Sequence, residues 1–213
     1  TFFIIGLFKK IVIADNLAVF ANPVFISSES GGDLLFIDTW GASLAFTFQL
    51  YFDISGYADM AIGLGRIFGI KIPLNFNSPF KAKSIIEYWQ RWHLTLTRFL
   101  QGYLYNPIVV SITRKRIQKK KTLYNLKSWS WSGYFYLLFF PTVLTMTIAG
   151  LWHGAGYTFI LFGFLHGIFL SINHIYRFLK NKIILNETIV FYSNKFYVVL
   201  TLMLVTILNV PFR

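Results

Sequence analysis

Apolar residues come in long blocks along this chain, without the three-and-four spacing of an amphipathic helix or the alternation of a half-buried strand. A helix needs about 20 apolar residues to cross the hydrocarbon of a bilayer. Five stretches approach that length: residues 2–25, interrupted by Lys9, Lys10 and Asp15; 34–60, carrying Asp38 and Asp53; 135–151; 154–172; and 196–212. The last three are clean and read as spans. Two lysines in the middle of the first are costly in hydrocarbon unless their heads snorkel, which predicts a helix lying along the interface. The pattern predicts an all-α fold, a polytopic transmembrane helical bundle.

Between the second and third blocks the pattern changes. Pro73 and Pro79 break any helix, and Asn75, Asn77 and Ser78 make a loop. Ser84 followed by Glu87 reads as a capping box, so a helix is predicted to start near Ile85 and to stop before Pro107. Ile85, Trp89, Trp92, Leu96, Phe99 and Tyr103 form one stripe, while Glu87, Arg91 and Arg98 share another face. This predicts an interfacial or re-entrant helix, aromatic side against protein and basic side toward water or headgroups.

Composition sharpens the picture. Only 13% of the 213 residues are charged, against about a quarter in a soluble domain, and mean hydropathy is +0.56. Aromatic residues at 20% exclude a disordered polymer. The net charge of +12 would suggest nucleic acid in a soluble protein. In a chain this apolar the positive-inside rule accounts for it better, and no nucleic-acid partner is expected. Arg114, Lys115, Arg116, Lys119, Lys120 and Lys121 precede the middle pair of spans, and Arg177, Lys180 and Lys182 follow it. An even number of crossings puts both clusters on the cytoplasmic side. The chain starts inside an apolar run without an initiator Met, so it is expected to be an internal piece of something longer, one partial membrane domain over residues 1–213.

The absence of cysteine removes thiolate metal sites and acyl-cysteine intermediates. No His-x-x-x-His pair, HExxH motif or Gly-x-Ser-x-Gly elbow occurs, so neither a metal site nor a serine hydrolase is expected. His93 lies between Trp92 and Leu94, His153 between Trp152 and Gly154, and ionisable groups between apolar runs tend to line a cavity or substrate path. His174, beside Asn173, reads as interfacial. What remains is a histidine general base without a covalent intermediate, suited to taking the proton of a hydroxyl that attacks an activated acyl group. Asp53 and Tyr57, and likewise Ser55 and Asp59, are four apart and could bond along a helix; an ion pair with a basic neighbour such as Arg66 is the other reading of the carboxylates. Gly63, Gly65 and Gly69 allow close helix approach.

Four segments carry a family resemblance: Gly6-Leu7-Phe8-Lys9-Lys10 through Asp15; Tyr51-Phe52-Asp53-Ile54-Ser55-Gly56-Tyr57 through Gly63; Trp89-Gln90-Arg91-Trp92-His93-Leu94-Thr95-Leu96; and Gly150-Leu151-Trp152-His153-Gly154-Ala155. In this order they resemble the motifs of the membrane-bound O-acyltransferases, in the bacterial branch of the alginate O-acetylases and the proteins that pass D-alanine to teichoic acid. Members are roughly twice this length, so N-terminal and C-terminal spans are expected to be missing. The resemblance implies His153 as the catalytic histidine and His93 as the second motif histidine, with His166 structural. Asp53, Tyr57, Arg91, Trp89 and Trp152 are expected to support the site. It departs from the family pattern at Gln90, at Gln101-Gly102-Tyr103 and at Val109-Val110-Ser111.

The resemblance further implies transfer of an acyl group, acetyl foremost, to hydroxyls of an extracytoplasmic polysaccharide such as alginate, another exopolysaccharide or a cell-wall glycan. The donor would be a substrate and not a bound cofactor, for example acetyl-CoA or an acyl carrier reached from the cytoplasm. The partners implied are the acceptor polysaccharide, an extracytoplasmic acetylase and the bilayer of the bacterial inner membrane. A transporter or channel, a non-catalytic scaffold for a partner acetylase, and acylation of a lipid are the alternatives.

Overall fold

The computed structural model describes residues 1–123, 130–180 and 187–213, with backbone only for 180 and 187–194. Lys182 and Asn186, of the second basic cluster and an Asn-Glu-Thr sequence, lie outside the described residues. The described residues contain helices and no strand, as an all-α membrane fold requires. Among the described residues, three helices are long and apolar enough to cross a membrane: Trp131–His153, Tyr157–Leu179 and Lys195–Phe212. They coincide with the three clean blocks. Two compact units emerge, residues 1–77 with 203–211 and 213, and residues 78–202 with 212.

In the first unit, α1 (Phe2–Phe8), a π-helical segment (Lys9–Ala14) and α2 (Asp15–Glu29) run continuously, followed by α3 (Phe36–Ile67). A Cβ at Gly56 would meet the Gly6 carbonyl and the backbone at Lys10, and one at Gly63 would meet the Phe3 backbone, so glycine lets the two helices touch along their main chains. Consecutive residues of an α-helix point about 100° apart, yet both lysines of the π segment face α3. Lys9 Nζ lies 2.6 Å from Asp59, and Lys10 Nζ lies 2.8 Å from both Asp15 and Asp53. The lysines therefore meet carboxylates where snorkelling was expected. The intrahelical pairs do not form either: Tyr57 is 72% exposed and the buried Ser55 hydroxyl has no partner among the described residues. Arg66 sits over the Phe2 ring and pairs with no carboxylate among the described residues. Gly65 packs against the Ile70–Ile72 turn, and Gly69 takes a φ of 73° to make that turn. Near the chain end, Asn209 donates to Thr47, both buried.

In the second unit, α4 (Ile85–Trp89), α5 (Leu94–Leu100), a π segment (Gln101–Tyr105) and α6 (Asn106–Gln118) lead to α7 (Trp131–Tyr134), a third π segment (Phe135–Phe139), α8 (Phe140–His153) and α9 (Tyr157–Lys180). The last helix, α10 (Glu187–Asn209), contributes its residues through 202. Main-chain approach again joins the central pair: a Cβ at Gly163 would strike Met146 and Thr147, and one at Gly167 would strike Val143. Tyr134 donates to the Ser171 carbonyl at 2.8 Å, tying the start of this hairpin to α9. Buried polar residues such as Thr145, His166 and Ser171, with Leu161, Phe164 and Ile172 outside, invert the soluble pattern, as lipid solvent requires.

Arg116 leaves the basic surface proposed for its cluster. It is 5% exposed, donates to the Thr122 carbonyl and Ser132, and lies over Tyr136, while its basic neighbours stay exposed.

Candidate active site

The helix predicted from Ile85 to Pro107 is broken. Its start is as expected: Glu87 N–H donates to Ser84 Oγ at 3.2 Å. The Glu87 carboxylate turns to the Lys83 N–H at 2.8 Å and to the Arg91 guanidinium at 2.7 Å. Burial raises its pKa, but the Lys83 N–H and Arg91 outweigh that and hold it below the ordinary carboxylate value. After Trp89 the chain turns, and His93 takes φ 45° and ψ 57° before α5 begins. A non-glycine residue in that region costs on the order of 1–3 kcal/mol and clusters at functional sites. At the far end, α6 runs past Pro107 because the wider π turn ahead of it accommodates the proline ring.

The break aims His93 at a cavity of about 520 Å³, lined also by Thr95, Leu96, Phe99, Leu100, Ile148 and Trp152. Its walls are almost wholly apolar. Burial keeps the His93 pKa below the ordinary histidine value, so the imidazole is a neutral base near pH 7. Trp152 shares the cavity wall, and His153 follows it as the last residue of α8. The helix ends there at an extended Gly154, where a Cβ would collide with the Phe159 ring. His153 is ringed by Trp152, Phe162 and Phe212 at 4.9, 6.3 and 5.0 Å between centroids. The two motifs, distant in sequence, thus meet at one cavity wall through His93 and Trp152.

A third histidine underlies both. His166 is fully buried, with Nδ1 3.0 Å from the Phe162 carbonyl, its ring 4.4 Å from Phe162 and 5.4 Å edge-on to Trp89. Through Phe162 and Trp89 it touches the neighbours of both motif histidines. His166 Nε2 and Trp89 Nε1 have no partner among the described residues, an acceptor and a donor on adjoining rings. Arg91 is held by Glu87, and the flanking Tyr88 and Trp92 rings stack with centroids 5.4 Å apart. Asp53 and Tyr57 belong to the first unit, where Asp53 pairs with Lys10. Phe162 and Phe212 went unread in the sequence; a Phe among 24 carries no local signal.

The sequence model of the membrane-bound O-acyltransferase family matches residues 2–125. This chain belongs to the membrane-bound O-acyltransferase family. It is 48% identical over 180 residues to a peptidoglycan O-acetyltransferase of Helicobacter pylori, covering 84% of this chain and 30% of that protein. It is 42% identical over 178 residues to a "probable alginate O-acetylase" of Azotobacter vinelandii, covering 83% and 31%. A teichoic acid D-alanyltransferase of Streptococcus thermophilus is 27% identical over 187 residues, 87% of this chain and 41% of that protein. The chain thus spans about a third of the length of these curated relatives.

Proposed function

We propose that the full protein transfers acetyl groups from a cytoplasmic thioester donor to hydroxyls of an extracytoplasmic polysaccharide, with cell-wall peptidoglycan or an exopolysaccharide as acceptor. The observation that carries this reading is that His93 of one motif and Trp152, the residue before His153 in another, line the same apolar cavity. The names of the relatives, acting on peptidoglycan, alginate and teichoic acid, support the acceptor class.

In the proposed reaction, a neutral His153 imidazole takes the proton of an acceptor hydroxyl as its oxygen attacks the thioester carbonyl. The new C–O bond forms, the tetrahedral intermediate expels the thiolate by C–S cleavage, and the proton passes from His153 to that sulfur. His93 holds donor or acceptor against His153. The apolar wall, including Trp152, excludes water that would hydrolyse the donor. Trp89 and Arg91 hold the chain around His93, while Asp53, paired with Lys10, holds the first unit together. An acetyl-CoA or acyl-carrier donor would meet the exposed Arg98, Arg114, Lys115 and Lys119–Lys121, an inner-membrane location puts these in the cytoplasm, and an extracytoplasmic acetylase takes part in delivery.

The test is ester-linked acetate on isolated exopolysaccharide and cell wall, comparing the full-length parent with His153→Ala and His93→Ala at matched membrane abundance. Loss of acetate from one fraction supports the reading and identifies the acceptor. Unchanged acetate in every fraction from both variants removes it and leaves a scaffold or transporter.

A further inference from the structure

We infer that Thr97 is a positioning residue for His93, its hydroxyl pinning the chain reversal that turns the imidazole into the cavity. This deepens the proposed function and rests on His93 serving there.

Threonines inside helices ordinarily bond back to the carbonyl one turn earlier. Thr147 does so to Val143, as Ser171 does to Gly167 and Ser43 to Thr39. Thr97 does not. Its own N–H takes the His93 carbonyl at 2.9 Å, and its hydroxyl reaches farther, 3.2 Å to the Trp92 carbonyl and 3.4 Å to that of Trp89. Those carbonyls flank the break, one at the end of α4 and one just before His93. A single hydroxyl proton, shared between them, thus closes the segment 89–93 into a loop whose exit is the left-handed His93. The N–H to the His93 carbonyl fixes the next residue boundary. His93 cannot relax into a continuous helix without giving up the two hydroxyl contacts, and a continuous helix is what the apolar stripe through Trp89, Trp92 and Leu96 would otherwise favour. The half-buried Thr97 is not among the residues lining the cavity, so its effect on chemistry has to pass through His93.

The experiment uses the full-length parent in its membrane with Thr97→Val, Thr97→Ser and Thr97→Ala, read two ways. Ester-linked acetate per molecule should fall about tenfold or more in Thr97→Val, which keeps shape and loses the hydroxyl, and should stay near the parent level in Thr97→Ser, which keeps the hydroxyl and loses the methyl. Modification of His93 by diethyl pyrocarbonate, followed by mass spectrometry, needs no turnover. Its rate should change several-fold in Thr97→Val and match the parent in Thr97→Ser. Should Thr97→Val fail to accumulate, Thr97→Ser against Thr97→Ala decides: Ser like the parent and Ala impaired supports the inference, while both impaired alike overturns it. Unaltered acetate and His93 labelling in Thr97→Val also overturn it. If the parent itself transfers no acetate while His93 labelling responds to Thr97, the functional reading fails and the positioning role stands.

Discussion

The two units use charge in opposite ways. In the first, Lys9, Lys10, Asp15, Asp53 and Asp59 are consumed by one another across helices, and the nearby glycines let main chains touch. In the second, the apolar cavity is lined by a neutral His93 with Thr95, His153 nearby is ringed by aromatic side chains, and the Glu87 carboxylate is used up by Arg91 and the Lys83 N–H. Neutralised pairs hold helices together in lipid, where an isolated charge is expensive. The proposed proton transfer falls to histidines of this second unit. Structure and chemistry are thereby separated along the chain, and substitutions should sort the same way.

The sharpest division comes from His153→Ala, which should lower acetate transfer by about a hundredfold or more while membrane abundance stays at the parent level. An abundance loss matching the activity loss would place His153 with the structural residues. Gly163→Val is expected to act in the reverse sense. Its added atoms meet the Met146 and Thr147 main chain, so α8 and α9 separate, with a cost of about 1–3 kcal/mol or more seen as lower melting temperature in detergent and poor accumulation. Lys9→Ala leaves Asp59 facing an apolar helix pair; about 1–3 kcal/mol of destabilisation should follow, and Lys9→Ala combined with Asp59→Ala should recover part of it. Additive losses would show that the pair contributes little. The smallest effect belongs to Glu87→Gln, about 1 kcal/mol or less for a partly exposed pair. Because the folded carboxyl titrates below its ordinary value of 4.5, its contribution is complete above that value and disappears as pH falls through the folded pKa. Melting temperatures of parent and Glu87→Gln should therefore converge in that acid window and differ above it.

Local rules were legible where the partners are local. Ser84 and Glu87 are three apart, and the cap forms whatever surrounds it. The same reasoning failed for Asp53 with Tyr57 and Ser55 with Asp59, because two lysines on another helix compete with stronger, charge-assisted partners. It failed again after Trp89: the stripe from Ile85 to Tyr103 is sound helical patterning, but Trp89 packs on His166 of α9, and the chain reverses at His93. The motif histidines were visible through their neighbours in sequence. Phe162, Phe212 and Thr97 were not, since their roles exist only as contacts.

By itself the sequence determined the solvent, the three clean spans and the family, because apolar block length and motif order survive without any knowledge of packing. Tertiary structure alone decided that Lys10 joins Asp15 to Asp53, that Arg116 goes inside, and that His153 and His166 share one aromatic cluster through Phe162. Those outcomes depend on helix phase and on how closely glycine lets main chains approach. Neither quantity is written in residue spacing, since one π turn or one left-handed residue rotates every side chain that follows it.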